Sequence, residues 1–357
     1  LESDVVHGGG KSVPMEYNNT TAGLSEVTRT FTPAQDWTAH GVITLSLWFA
    51  GAGANMPGQL YVKVNGVQID YDGDAGNLAL AGWQPWNIDL TAVNTNLSNV
   101  TSLAIGIQGP GATGILLLDD IGLYAQAREL ITPVEPDPAG MVLHYEFEGN
   151  ANDSTGANNG TALGGPTYGP GRIGQAINLD GIDDHVAIEN LSYTTAGHAE
   201  VSVCAWIRTS SEGDQIIASF DRNEYWRLEI NGDGAGPGKV GWDVLTDAGQ
   251  VDYGSSARVD DGQWHHVAGT FDNGTLTIYI DGNAEESVSG GSTYGSGNTR
   301  FGYVGVGSES TDFNADPKTP VYLITGAVDD VRIYDRALTH GEVAGLAGRT
   351  DPFDKPF

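Results

Sequence analysis

The chain has 357 residues, 46 acidic against 16 basic, and a formal net charge of −30. That surplus repels phosphate backbones and anionic headgroups, which excludes nucleic acid as a partner, and no apolar run is long enough to insert in a membrane. A single cysteine, Cys204, excludes an intrachain disulfide, so stability has to come from hydrophobic cores and bound ions, and Cys204 reads as a buried, inert thiol.

The chain opens Leu1-Glu2, without a methionine or a leader, and reads as a processed or excised piece. Residues 1–130 alternate apolar and polar residues between Gly, Asn and Asp punctuation: "VITLSLWFAG" (42–51), "QLYVKVNGVQIDYDG" (59–73), "WQPWNIDL" (83–90), "TSLAIGIQG" (101–109) and "GILLLDDIGLY" (114–124). These are strands, the second a hairpin turning at Asn65-Gly66. Alternation at Leu103, Ile105 and Ile107 predicts one buried and one wet face. "ITPVEPDPAG" (131–140) reads as a semi-extended linker. Residues 141–348 carry a second set of strands, and 349–357 read as a tail leading elsewhere. Only Thr339–Ala347 has a helical pattern. The fold class is all-β, with two antiparallel β-sandwich domains in tandem.

"GQWHHVAGTFDNGTLTIYIDG" (262–282) sets two histidines side by side. The segment is a hairpin turning through a three-residue loop, Asp272-Asn273-Gly274, and successive strand side chains point to opposite faces. His265 and His266 therefore diverge and cannot share an ion or a proton.

Five ordered motifs, "YEFEGNANDSTG" (145–156), "GQAINLDGIDDHVAI" (174–188), "VCAWIRT" (203–209), the histidine hairpin and "GAVDDVRIYDRALT" (326–339), resemble the LamG-like, concanavalin A-like jelly-roll domains of secreted bacterial proteins. The resemblance implies a non-catalytic sandwich that binds glycans or proteins and carries a structural Ca²⁺ joining its first strand to its last. Through "VHGGGKSVPMEYNN" (6–19), "EVTRTF" (26–31), "DWTAHGVITLSLWFAG" (36–51) and "LLLDDIGLY" (116–124), the first block resembles galactose-binding-like jelly rolls. Members of that group have a strand ahead of the glycine motif. Here it is lacking, which predicts an open sheet edge suited to strand addition.

Candidate calcium ligands follow from acidic bends, since Ca²⁺ takes many hard oxygen ligands. In the second block they are Asp329 and Asp330, Glu148 and Asp153 of the "EGNANDS" turn, and Asp183 with the Gly181 carbonyl of "DGIDD". In the first block, Asp120 with Glu16 is the candidate pair. Glycan binding needs exposed aromatic faces, and the candidates are Trp226 and Trp242 with Arg222, Arg227 and Tyr253, then Trp83 and Trp86. Catalysis is not expected: the Glu-x-Asp-x-x-Glu spacing of sandwich glycosidases is absent, as are a Gly-x-Ser-x-Gly elbow and a His-Glu-x-x-His helix. The expected function is an extracellular, calcium-stabilised module that binds a polysaccharide or cell-surface glycan. The alternative is a structural subunit of a surface layer, adhesin or filament whose partners are copies of itself.

Overall fold

The computed structural model describes residues 1–3, 5–232, 234–285, 287–313, 317 and 321–357. The chain forms two compact units, Leu1–Thr132 with Thr350–Phe357, and Pro133–Arg349. Among the described residues no helix is long and apolar enough to cross a membrane. Both units are antiparallel β-sandwiches.

In the first unit the strands are β1 (Val13–Asn18), β2 (Leu24–Gln35), β3 (Thr44–Ala50), β4 (Gln59–Val64), β5 (Val67–Asp70), β6 (Gln84–Asp89), β7 (Val100–Gln108) and β8 (Thr113–Tyr124). They form two sheets, β1-β8-β3-β6 and β2-β7-β4-β5. Leu47, Phe49, Leu60, Val62, Val64, Ile107 and Leu116 fill the space between them. The β4–β5 hairpin turns at Asn65 (φ 50°) and Gly66 (φ 82°), the two positive φ values a two-residue turn of matching twist requires. The face of β7 expected to be wet is instead covered: a Cβ on Gly106 would lie 2.3 Å from Tyr61 Oη, so the glycine lets the tyrosine cross the strand. Residues 350–357, expected as a tail, fold back on the first unit. Phe353–Asp354 pairs with Leu130–Ile131, and the buried Asp354 accepts hydrogen bonds from the Asn87 amide at 3.1 Å and Arg128 Nε at 2.5 Å.

The main strands of the second unit are β9 (Met141–Tyr145), β10 (Gln175–Asp180), β11 (His185–Tyr193), β12 (Glu200–Arg208), β13 (Gln215–Ser219), β14 (Trp226–Ile230), β15 (Lys239–Thr246), β16 (Gly249–Arg258), β17 (His265–Asp272), β18 (Thr275–Ile280), β19 (Arg300–Val304) and β20 (Thr325–Tyr334). One sheet runs β10-β20-β12-β17-β18 and the other β11-β19-β13-β14-β15, with β16 beside β15. Side chains from both inner faces make one core, including Trp226, Trp242, Phe271 and Val331. The β17–β18 loop has two residues rather than three, because Asp272 pairs with Thr275 across Asn273-Gly274. The predicted helix is α1 (His340–Leu346), begun by a capping box between Thr339 and Glu342. Part of the expected linker is folded as well: Val134 N donates to Gly341 O at 2.9 Å and Arg336 Nε to Ala139 O at 2.9 Å.

One register detail positions the candidate site. Along one edge of β20, β9 pairs with residues 331–334 and β10 with residues 325–328, so the two strands lie end to end. Asp329 and Asp330 fall at the break between them.

Candidate functional site

At that break β20 is bulged. On its other edge the register with β12 shifts between Cys204 and Trp206, which leaves Trp206 opposite Asp329, and Asp330 adopts φ 48°. The bulge sends the two carboxylates to different environments. Asp329 is fully buried, and its Oδ2 accepts from the amides of Arg172 at 2.8 Å and Ile173 at 2.9 Å. Its Oδ1 is buried with no hydrogen-bond partner among the described residues. Burial pushes the Asp329 carboxyl up to about 6. The loop Gly171–Gln175 that supplies the amides also meets Glu148, whose Oε1 accepts from Gln175 N at 2.9 Å. A Cβ on Gly171 would lie 2.6 Å from Asp329 Oδ2, and one on Gly174 1.8 Å from Glu148 Oε1, so both glycines permit the close approach. The Arg172 guanidinium lies 4.6 Å above the Trp206 ring and anchors the loop.

Asp329 and Glu148 therefore share one loop, one carboxylate buried and the other exposed. An anionic oxygen in a dry place without a donor is what a hard cation satisfies, and an all-oxygen set suits Ca²⁺. The site fits that ion.

The other candidate ligands are placed elsewhere. Asp330 Oδ1 accepts from His144 Nε2 at 2.6 Å and Arg332 Nη2 at 3.1 Å; burial works against its charge, but the histidine bond and the arginine outweigh it and hold the carboxyl low. It is a buried ion pair. Asp153 is saturated by the amides of His144, Thr155 and Asn158 and by the Thr155 hydroxyl, and so organises its own turn. Gly181 follows Asp180, which pairs with Thr325, so it lies about five strand rises, roughly 16 Å, from Asp329. Asp183 belongs to that distant turn, where Asp180 Oδ1 accepts from Ile182 N at 2.8 Å.

The first unit repeats the arrangement. Register shifts between Ser46 and Trp48, Trp48 faces Asp119, and Asp120 takes φ 43°. Asp119 Oδ2 accepts from the amides of His7 at 2.9 Å and Gly8 at 3.4 Å, while Asp120 bonds His7 Nδ1 at 2.8 Å. The expected partner Glu16 is opposite Ile115, again roughly 16 Å along the strand from Asp120, and does not join it. The shared signal is legible as "DDIGLY" (119–124) against "DDVRIY" (329–334), a repeat that motif reading of each half alone passes over.

No aromatic platform exists at Trp226 and Trp242. Both are fully buried, with ring centroids 5.8 Å apart inside the sandwich, and Trp242 Nε1 donates to Thr270 O at 3.1 Å. Tyr253 is opposite Trp242 and packs against the same core. Trp86 is a core residue of the first unit, and Trp83 is buried in a small cluster with Trp48 and Ala50. Alternation along a strand cannot say which face looks inward when both are covered.

What the outer face of β14 and β15 carries is charge. Arg227 Nη2 is 2.9 Å from Asp243 Oδ2, Arg227 Nε contacts Glu229, and Arg222 Nη1 is 3.8 Å from the same Asp243 oxygen. Burial, then the neighbouring Glu229 charge, lifts Asp243 to about 9, and burial lifts Glu229 as well. Above them, 5.8 Å from the Arg227 guanidinium, is the Tyr322 ring, exposed by 45% on a backbone with φ 57°. A bulky residue in that region is strained, and such strain gathers at sites that use it.

The histidines diverge as the hairpin requires. His265 sits between Asp281 at 2.8 Å and Asp261 at 3.1 Å. Burial works against its charge, but the Asp281 charge and the two acid bonds outweigh it and raise the ring to about 10. His266 packs edge-on to Trp206, and burial lowers it to about 4. Burial also pushes the Cys204 thiol up to about 12, an inert state.

Residues 180–344 match the family described as the concanavalin A-like lectin/glucanases superfamily. No curated protein matches the chain. Among solved structures, the chain is similar to domain 4 of AbnA, an extracellular GH43 arabinanase from Geobacillus stearothermophilus in complex with arabinotriose, at 22% identity, covering 58% of this chain and 98% of that one with a TM-score of 0.46. It is also similar to the receptor-binding domain of botulinum neurotoxin type G, at 16% identity over 59% of this chain and 51% of that one, TM-score 0.43. The binding domain of botulinum neurotoxin DC in complex with rat synaptotagmin II follows at 14% identity, 60% and 53% coverage and TM-score 0.43. The chain spans about half the length of these toxin domains.

Proposed function

We propose that the chain is an extracellular, calcium-stabilised module that binds a polysaccharide or cell-surface glycan and performs no chemistry on it. The observation that carries the reading is the outer face of β14 and β15. Tyr322 offers a ring for stacking on a sugar, and the half-buried Arg222 offers donors for its hydroxyls, with the buried Arg227 and Asp243 behind them as support. The match to a family of lectins and glucanases agrees with this. Calcium, held by Asp329 with Glu148, would fix the Gly171–Gln175 loop to β20 and so the first strands to the last. The test is binding of immobilised polysaccharides by Tyr322→Ala. An aromatic contact contributes about 0.5–1.5 kcal/mol, so affinity falls roughly two- to ten-fold with an unchanged Tm. Unaltered binding by Tyr322→Ala and Arg222→Ala together refutes the site.

A second reading, a structural subunit assembling through strand contacts, is favoured by β2. This edge strand is exposed or half-buried along its whole length, and Val27, opposite the buried Ile105, is 47% exposed. An uncovered core-facing valine on an edge invites another strand. Filaments in electron micrographs of the purified chain, lost on Val27→Lys, would favour it over the module reading.

A further inference from the structure

Leu47 and Phe49 point into the core of the first unit, so alternation sends Trp48 to the outside of β3. There it meets Trp83, Ala50 and Leu117 in a cluster separate from the main core. Two indoles on the outer face of a sheet contribute nothing to the sandwich interior. They are buried because a strap, residues 5–11, crosses them and lays one imidazole on top. The His7 ring stacks on Trp48 at 3.7 Å and 20°, and meets Trp83 edge-on at 5.7 Å.

We infer that this strap occludes a second carbohydrate-binding face, made by Trp48 and Trp83 and rimmed by Asp119 and Asp120, whose ligand is a neutral polysaccharide. The imidazole occupies the place a pyranose ring would take against an indole. Among the described residues no apolar side chain of the strap packs in the indole cluster: Val5 is 47% exposed, Val6 is half-buried but outside the cluster, and Gly8, Gly9 and Gly10 follow His7 directly. Its fastening is polar: the His7 and Gly8 amides donate to a half-buried Asp119, His7 Nδ1 meets an Asp120 that is itself 42% exposed, and the buried Ser12 hydroxyl donates to Val5 O at 2.7 Å. Gly9 and Gly10 have open space around them and let the backbone swing, whereas Gly8 lies close against Asp120, where a Cβ would come within 2.3 Å of Oδ2. Once the strap is lifted, two carboxylates at the rim accept hydrogen bonds from sugar hydroxyls. Together with the net charge of −30 they turn away uronates and sulfated chains, which makes the ligand neutral.

The test uses the full chain carrying Tyr322→Ala, so that the fate of the second unit's site does not enter. Acrylamide quenching of tryptophan fluorescence reads the strap, and affinity electrophoresis in gels containing xylan, mixed-linkage β-glucan or linear arabinan reads binding. His7→Ala is expected to raise quenching and to tighten binding of at least one of the three polymers five-fold or more, and adding Trp48→Ala is expected to abolish the gain. Asp120→Asn, which only loosens the fastening, is expected to move both readouts in the same direction and decides the matter if His7→Ala does not fold. Quenching that does not rise, a lifted strap with no gain on any polymer, or a gain that survives Trp48→Ala overturns the inference.

Discussion

Asp329→Asn separates a cation site from an ordinary buried acid. Burial raises this carboxyl from 3.8 to about 6, and at about 1.4 kcal/mol per pK unit the cation-free protein pays at most about 3 kcal/mol to keep it ionised at pH 7. Because the folded pKa lies above the unfolded one, the folded state binds more protons between about pH 4 and 6. Stability therefore falls as pH rises through that window, and the penalty is complete above it. Asparagine keeps a carbonyl oxygen for the Arg172 and Ile173 amides and removes the charge; an unsatisfied amide in the place of Oδ1 costs roughly 1 kcal/mol. The charge outweighs the amide. In chelator at pH 7 the variant should be more stable than the parent by about 1–2 kcal/mol, roughly 2–8 °C in Tm for a unit of this size, and the gain should vanish near pH 4. Calcium at about 100 times its Kd should stabilise the parent by about 2.7 kcal/mol and the variant not at all. Calorimetry across pH with chelator or Ca²⁺ reads all of this. A variant less stable than the parent in chelator at pH 7, or one that keeps the calcium response, refutes the reasoning.

His265, raised from 6.5 to about 10, contributes stability that is fully present below about pH 6.5 and is lost as pH climbs through 10; His265→Gln should flatten the urea midpoint over that range. Trp242→Ala should cost about 3–5 kcal/mol in urea titrations, because it empties the sandwich core, whereas an exposed stacking residue would cost little. Gly174→Ala combines φ 55° with a Cβ 1.8 Å from Glu148 Oε1, so it should lower stability by about 1–3 kcal/mol and weaken the calcium-dependent rise in Tm.

Alternating apolar residues, Asn-Gly turns and the Thr339 capping box are local signals. They were enough for the strands, the β4–β5 hairpin, α1, the two-sandwich architecture and the divergence of His265 from His266. The orientation of the tryptophans was not legible in this way. Trp226 and Trp242 sit on strands covered on both faces, by the core on one side and charged groups on the other, and pattern does not reveal which face an aromatic takes. Tyr322 gave no signal at all, since the role proposed for it rests on a strained loop conformation and on an arginine far away in sequence.

The acidic pairs divide the two kinds of information most clearly. Sequence alone determined that Asp119-Asp120 and Asp329-Asp330 occupy late strands, because alternating apolar residues around each pair are a local signal. Only the tertiary structure decided which carboxylate of each pair meets a loop and which a histidine. That outcome is set by a bulge opposite Trp48 or Trp206 and, in the second unit, by β9 and β10 ending on either side of the same break. Both are properties of pairing between strands remote in the chain, and no local stretch of residues encodes them.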